Sequence, residues 1–206
     1  IERPMFSFRA VTEEEMSTEI SKLKREKSQD TFKITPALVK DMEPFLSPVL
    51  TMILNVFLKK GHYPDILKIV LVIPIHKAGP ENIRDNYRPI SLIAIIGKIY
   101  DSLLNDQLMN HCITYSLLGD RNYGYRPAST TVLCLQAIFN RVQTSIRAGR
   151  KVAVIFLDLS KAYDTIEHKK LVDKLSKQFN FDGKTTRFLE SYMKNRRQKT
   201  DTGHTQ

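Results

Sequence analysis

The sequence predicts a mixed α/β fold, and three observations support that prediction. Two short apolar runs rich in β-branched residues, Lys68–His76 and Val152–Leu157, have the composition of strands buried in a sheet. Around these runs, apolar residues recur at helical spacing beside capping residues. Hydrophobic residues make up 42% of the 206 positions, which is enough to build the core of one good-sized domain, or of one domain and part of another.

Helices are predicted for the first part of the chain. The segment Thr12–Glu15 has the form of a capping box, so a helix should follow to about Arg25. Residues 28–35 should form a loop. Helical spacing then extends over Pro36–Lys60, where Pro44 and Pro48 should split the helix, and the glycine that follows suits its C-terminal end.

A strand, an exposed loop and a second arm should come next. The strand Lys68–His76 leads into the loop, which Lys77 and Arg88 bracket, and Ser91 is expected to cap a helix that runs to about residue 109. Two cations on such a loop can hold a triphosphate by charge and, for Arg88, by forked hydrogen bonds. The alternative is that both are ordinary solvated surface cations.

Aromatic and basic residues alternate in Tyr123–Pro127, a composition that suits a strand of bases and phosphates, with Tyr125 and Arg126 as the candidate contacts. Ser129–Thr131 should begin a helix that ends near Ala148. Its inward face is predicted to consist of apolar residues at helical spacing. These are Leu133, Ala137, Ile138, Val142 and Ile146.

Two further amphipathic helices are predicted, over residues 166–179 and 184–195. They lead into a basic segment that contains Arg196 and Arg197. This segment either follows the phosphates of a nucleic acid or is a solvated helix terminus. The remaining residues, 200–206, are polar and predict no regular element.

Asp158 follows the run Val152–Leu157 directly, so it should lie where a buried strand meets solvent. Acids at such positions hold metal ions in nucleotidyl-transfer sites, although a strand-end acid can also simply cap a turn. Tyr163 comes a short turn later. Its ring could press against the sugar of a bound nucleotide and reject a 2′-hydroxyl, or it could pack, half-buried, under the sheet.

The net charge of +10 favours a polyanionic partner, with nucleic acid ahead of an acidic membrane surface, over charge that serves only solubility. Cys112 and Cys134 have no zinc-like spacing and are expected to be reduced in an intracellular protein, nuclear or cytoplasmic. No stretch is long and apolar enough to cross a membrane. The chain does not begin with Met, and it is expected to be a piece of a longer protein.

In order along the chain, these segments resemble the signature blocks of reverse transcriptases of non-LTR (LINE-like) retrotransposons. The matching segments are Val70–Lys77, Asn86–Leu92, Gly124–Thr131, Leu157–Asp164 and Phe188–Gln198. A single block would be weak evidence, but several in the family's order cover most of residues 68–198.

The resemblance implies the α/β fold of a right-hand polymerase, with fingers and an incomplete antiparallel palm sheet. Residues 1–67 would be a helical N-terminal extension and the start of the fingers, 68–150 the fingers, and 151–206 a partial palm. The implied reaction is RNA-directed DNA synthesis. Its partners would be an RNA template, a DNA primer, a deoxynucleoside triphosphate and the rest of the polymerase.

Site residues also follow from the resemblance. Asp158 would bind two Mg²⁺ ions, and the carbonyl of Leu159 would be a further metal ligand. Tyr163 would exclude ribonucleotides, and Lys77 and Arg88 would hold the incoming triphosphate.

The sequence lacks the family's paired aspartates, its Pro-Gln-Gly block and its thumb, so the chain alone is expected not to polymerise. A non-catalytic nucleic-acid-binding remnant is therefore the second hypothesis. A phosphotransferase unrelated to polymerases is less consistent with the sequence, because there is no glycine-rich phosphate loop. An incomplete sheet would leave an exposed edge, which predicts self-association.

Overall fold

The computed structural model describes residues 4–159, 162–163 and 165–200. Within them the helices are α1 (Glu13–Ser21), α2 (Pro36–Asp41), α3 (Glu43–Lys60), α4 (Ile95–Thr114), α5 (Thr131–Arg147), α6 (His168–Phe179) and α7 (Gly183–Met193). The strands are β1 (Ile69–His76), β2 (Tyr87–Leu92) and β3 (Arg197–Thr200), and short 3₁₀ turns precede β1 and β2. This mixture of helices with one small sheet confirms the predicted α/β class.

The chain divides into two compact units, residues 1–108 with 168–206, and residues 109–167. The predicted functional boundaries after residues 67 and 150 stay predictions. Among the helices that the structure describes, we find none with both the length and the apolar character needed to span a membrane.

The core of the first unit is formed by the inward faces of its helices and by aromatic side chains. Helix α3 buries one residue per turn, at Ser47, Leu50, Leu54 and Leu58, which gives it a single inward stripe. Phe188 of α7 is almost fully buried and meets the ring of Tyr63 edge to face, with the ring centroids 5.9 Å apart. Helix α7 is thereby held on the N-terminal helices, although more than 120 residues separate the two rings in sequence.

The helix boundaries follow the local capping signals. The side chain of Thr12 accepts a hydrogen bond from the Glu15 amide while the Glu15 side chain accepts one from the Thr12 amide, so the predicted capping box is confirmed. The long helical stretch splits at Met42 but not at Pro48, which lies inside α3. Burial of the apolar residues beyond Pro48 outweighs the single hydrogen bond that proline removes. Gly61 ends α3 with φ +65°, as its position predicts.

The sheet has the order β2-β1-β3. Strands β1 and β2 form an antiparallel hairpin, with Leu71 opposite Leu92 and His76 opposite Tyr87. Strand β3 pairs in parallel with the other edge of β1, from Ile69 opposite Arg197 onwards. Strand β3 was not predicted, because a polar segment of four residues has no strand signal of its own. Such a segment becomes a strand only where it can pair with the free edge of another strand.

The prediction of a buried strand over Val152–Leu157 is wrong. These residues have no regular structure, and Phe156 and Leu157 are 83% and 90% exposed. A strand needs a neighbour for its backbone hydrogen bonds, and no described segment pairs with this one.

The predicted inward face of α5 is exposed as well, with Leu133 44% and Ile146 59% accessible. Apolar pattern alone does not bury a face when nothing in the described chain covers it.

Candidate functional site

Lys77 and Arg88, the two predicted triphosphate contacts, lie on one face of the β1–β2 hairpin. Ile75 pairs with Arg88, and the Lys77 amide donates to the Asn86 carbonyl at 2.7 Å, so the pairing continues one step beyond β1. Side chains alternate between the two faces of a strand, so Lys77 shares the face of Ile75 and Arg88. Diagonal neighbours of this kind lie about 7–8 Å apart. Both cations are exposed, and a bound anion could contact both.

The loop between the two arms is closed by its own hydrogen bonds. The Asn86 amide side chain donates to the Pro80 carbonyl at 2.8 Å, and His76 Nε2 lies 2.9 Å from the Gly79 carbonyl oxygen. Gly79 has φ +85°, and a Cβ built there would lie 2.6 Å from the side-chain nitrogen of Asn86. Glycine is therefore required at this position, and the loop geometry keeps the two arms in register.

Asp30, which the sequence predicts to lie in a plain loop, organises a turn that connects to the start of α4 just after the hairpin. Its Oδ1 accepts hydrogen bonds from the amides of Phe32 (2.8 Å) and Ile34 (2.9 Å), and its Oδ2 accepts one from the amide of Ile95 (2.8 Å). Asp30 thus closes its own turn and caps the first residue of α4. The local signal was an Asp in a polar segment, which is typical of an Asx turn.

The last residue of β2 is held by the same turn, and it lies where the sequence predicts a helix. Thr31 donates its hydroxyl to the Leu92 carbonyl at 3.2 Å, so the same turn also holds the last residue of β2. Ser91 lies within β2 and does not cap α4, and the predicted helix start near Leu92 is wrong. The strand continues to Leu92 because its partner β1 offers backbone hydrogen bonds that far.

Asp158 and Leu159, the predicted metal ligands, are exposed in the irregular segment that follows α5, and Leu159 is 77% accessible. In the described part of the chain, no three His, Cys, Asp or Glu side chains are grouped so that they could hold a metal ion. A two-metal site requires several carboxylates. The described residues therefore do not fit a pair of Mg²⁺ ions by themselves, and the roles of Asp158 and Leu159 stay predictions.

Tyr163, the predicted sugar-selecting residue, and Tyr125, a predicted nucleic-acid contact, share a hydrogen bond between their hydroxyls. The hydrogen bond to Tyr125 raises the pKa of the Tyr163 phenol above its ordinary value. Both rings are largely exposed, at 71% and 87%. Tyr125 has φ +55°, and the Arg126 carbonyl next to it accepts the Ser129 amide at 3.2 Å, just before α5. The sequence did not predict that these two rings meet.

Arg196 lies between α7 and β3, and Arg197 is the first residue of β3. The Arg196 guanidinium is 4.7 Å from the centroid of the Tyr192 ring and donates to the Tyr192 carbonyl at 3.0 Å. The hydroxyl of Tyr192 in turn donates to Asp101 of α4 at 3.2 Å. Burial raises the pKa of the Asp101 carboxyl above its ordinary value. Arg196 is thus held in place, whereas Arg197 begins β3 opposite Ile69.

The structure therefore brings the predicted residues together in pairs: Lys77 with Arg88, Tyr125 with Tyr163, and Arg196 with Arg197. The first and third pairs belong to the first unit, and the tyrosine pair belongs to the second, with Asp158 and Arg126.

Comparison with known proteins shows what the chain is similar to. Residues 75–206 match the family model described as "Reverse transcriptase (RNA-dependent DNA polymerase)". The chain is 26% identical over 185 residues to the probable RNA-directed DNA polymerase from transposon BS of Drosophila melanogaster, covering 89% of this chain and 20% of that protein. It is 27% identical over 172 residues to the RNA-directed DNA polymerase from mobile element jockey of the same species, covering 82% of this chain and 19% of that protein. The chain thus spans about a fifth of the length of these curated relatives.

Proposed function

Because the chain belongs to the reverse transcriptase (RNA-dependent DNA polymerase) family, we propose that it contributes the fingers and part of the palm to an RNA-directed DNA polymerase of a LINE-like retrotransposon. The polymerase joins a deoxynucleotide to the 3′-hydroxyl of a DNA primer on an RNA template. The observation that carries the proposal is the pair of exposed cations, Lys77 and Arg88, on one face of a braced hairpin.

Lys77 and Arg88 bind the triphosphate of the incoming nucleotide. The guanidinium of Arg88 donates two parallel hydrogen bonds to one phosphate, and Lys77 contributes a compact charge one diagonal step away. The self-closed loop and the hydrogen bond from Thr31 to the Leu92 carbonyl hold this hairpin at its two ends, so the backbone that carries the two cations loses little freedom when the nucleotide binds.

In the second unit, Asp158, Leu159 and Tyr163 have the metal and sugar roles of the proposal. Asp158 and the Leu159 carbonyl supply oxygen ligands for divalent metal, but further carboxylates have to be supplied from outside the described residues. Tyr163 contacts the sugar and excludes a 2′-hydroxyl. Its hydrogen bond to Tyr125 supports this role because it limits displacement of the Tyr163 side chain.

The triphosphate role can be tested by equilibrium binding of a fluorescent dNTP to the 206-residue chain. Lys77→Gln and Arg88→Gln should each weaken binding about tenfold, because each removes one charge-assisted contact. Lys60→Gln, at an exposed position in the last turn of α3, is the matched control and should bind like the wild type. Equal affinity in all four proteins would rule out the hairpin as the triphosphate site.

A non-catalytic nucleic-acid-binding module is the second candidate. The net charge of +10 and the lack of a grouped metal site in the described residues favour it for the chain alone. We expect the chain to bind RNA with a steep salt dependence and to show no primer extension with Mg²⁺. In a longer polypeptide that does extend primers, Asp158→Ala should abolish extension. Retained extension would remove Asp158 from the site.

A further inference from the structure

A cavity of about 490 Å³ opens at the base of the sheet, at the end of β1 opposite to the hairpin loop. Its lining residues are Asp65, Ile66, Ile69, Asn195, Arg196 and Arg197. All of them belong to the first unit. The volume falls within the range of small-ligand sites in proteins, roughly 300–1,000 Å³. The sequence offers Arg196 and Arg197 as phosphate contacts, but it predicts no cavity at this end of β1.

The charge around the cavity selects for an anion. Arg196 and Arg197 line it, and the carboxylate among its lining residues, Asp65, is already bonded to Lys68 at 2.7 Å. That hydrogen bond lowers the pKa of Asp65, so the Asp65–Lys68 pair carries no net charge at neutral pH. The guanidinium groups of Arg196 and Arg197 therefore give the cavity a net positive charge.

The two arginines are presented by a defined turn. Asn195 has φ +59°, a left-handed conformation that asparagine tolerates, and it turns the chain sharply from α7 into β3. Arg196 lies over the Tyr192 ring, and the backbone of Arg197 is fixed by pairing with β1. The Arg196 side chain and the Arg197 backbone are thus already ordered before a ligand binds, which lowers the entropic cost of binding.

The other lining residues are apolar. Ile66 is 57% exposed, and Ile69 is half-buried at the start of β1. A free inorganic anion would gain nothing from these two side chains. A ligand that combines a phosphate with a flat, weakly polar group would gain from both parts of the cavity, and a nucleotide has this composition.

The cavity lies on the same face of the sheet as the proposed triphosphate contacts, Lys77 and Arg88. Arg197 lies opposite Ile69 and Lys199 opposite Leu71, and β1 side chains at odd-numbered positions share one face. Arg197 and Lys199 are therefore on the same face as Lys77, at distances of about 26 Å and about 20 Å along β1, given a rise of about 3.3 Å per residue. An extended polynucleotide can lie along this face from one end to the other, whereas a free nucleotide reaches only one end.

We propose that this cavity binds one nucleotide unit of a single-stranded nucleic acid, with the phosphate on Arg196 and Arg197 and the base or sugar against Ile66 and Ile69. The proposal rests on the proposed function. It adds a second anchoring point for the strand at the base of the sheet, remote from the hairpin cations.

The test is fluorescence anisotropy of the 206-residue chain with a labelled 12-nucleotide single-stranded RNA, over a series of salt concentrations. Arg196→Gln and Arg197→Gln should each weaken binding several-fold and reduce the magnitude of the log–log salt slope by about 0.7, because each removes one phosphate contact to a single strand. Lys59→Gln, an exposed cation in the last turn of α3, should leave the slope unchanged. Circular dichroism melts establish that the variants are folded.

A second arm uses AMP as a competitor of the labelled RNA, to separate a free mononucleotide from a strand. AMP should compete only at concentrations far above those of RNA, because it contacts the cavity alone. AMP that binds as tightly as RNA would overturn the assignment to a strand. If the wild type binds RNA but both arginine variants match Lys59→Gln, the cavity proposal fails while the proposed function stands. If the wild type binds neither RNA nor dNTP, both fail.

Discussion

Replacing Asp30 by alanine should destabilise the first unit, because one carboxylate satisfies three backbone amides in two elements that are distant in sequence. The amides of Phe32, Ile34 and Ile95 lie 2.8, 2.9 and 2.8 Å from its oxygens. Hydrogen bonds to a charged group contribute about 1.5–3 kcal/mol each. Asp30 is half-buried, so water can replace part of this, and we expect a total loss of about 3 kcal/mol.

Asp30→Asn should lower the free energy of unfolding by about half as much, or ~1.5 kcal/mol. The amide oxygen of the asparagine can still accept the two local hydrogen bonds, but its NH₂ group would face the Ile95 amide, which is also a donor. Urea unfolding followed by circular dichroism measures both effects. With a slope of about 2 kcal/mol/M, the alanine variant should move the midpoint by about 1.5 M.

Asp106→Ala is the matched control, since Asp106 is an exposed acid on α4 in the same unit. It should lie within about 0.5 kcal/mol of the wild type, as surface substitutions usually do. An Asp30→Ala variant as stable as this control would refute the reasoning that the turn at Asp30 holds the start of α4.

Three further outcomes follow from the structure. Gly61→Ala should cost about 1–2 kcal/mol in urea unfolding, because φ is +65° and the new Cβ would lie 3.3 Å from a carbonyl oxygen of α7. The hydrogen bond from Arg9 lowers the pKa of Glu15 from 4.5 to about 2, so thermal stability should fall as the pH drops from about 4.5 towards 2, and Glu15→Gln should remove that fall. Burial raises the pKa of Asp101 above 3.8, so stability should decrease as the pH rises from about 3.8 through the folded-state pKa. Asp101→Asn should flatten that decrease and raise the melting temperature at pH 7, because the neutral amide removes the cost of burying an ionised carboxylate.

Local signals predicted the helices well. Thr12 with Glu15, Pro36, Thr130 and Gly61 all lie at or next to the helix ends that their residue types indicate. A helix makes its hydrogen bonds within itself, so its ends depend on residues a few positions apart. The family was also predictable, because the ordered blocks are a property of the sequence, and the family match over residues 75–206 confirms it.

The roles of the predicted site residues stay predictions, but the structure shows which of these residues lie together. Lys77 and Arg88 were chosen because they bracket a loop, and the hairpin register places them side by side. The contribution of Asp30 was not predictable, since nothing in a local Asp-Thr pair indicates an amide 65 positions away. The cavity beside Arg196 and Arg197 was equally hidden, because it exists only where the turn after α7 lies against the start of β1.

Local sequence signals were sufficient to predict the helices, their caps and the family, whereas contacts between distant segments established which extended segments became strands. Val152–Leu157 has the stronger strand composition but no described neighbour, and it remains irregular and exposed. Arg197–Thr200 is polar and short, yet it forms β3 because an edge of β1 lies beside it. The physical reason is that a strand completes its hydrogen bonds on another segment of chain, so partner availability outweighs its own composition.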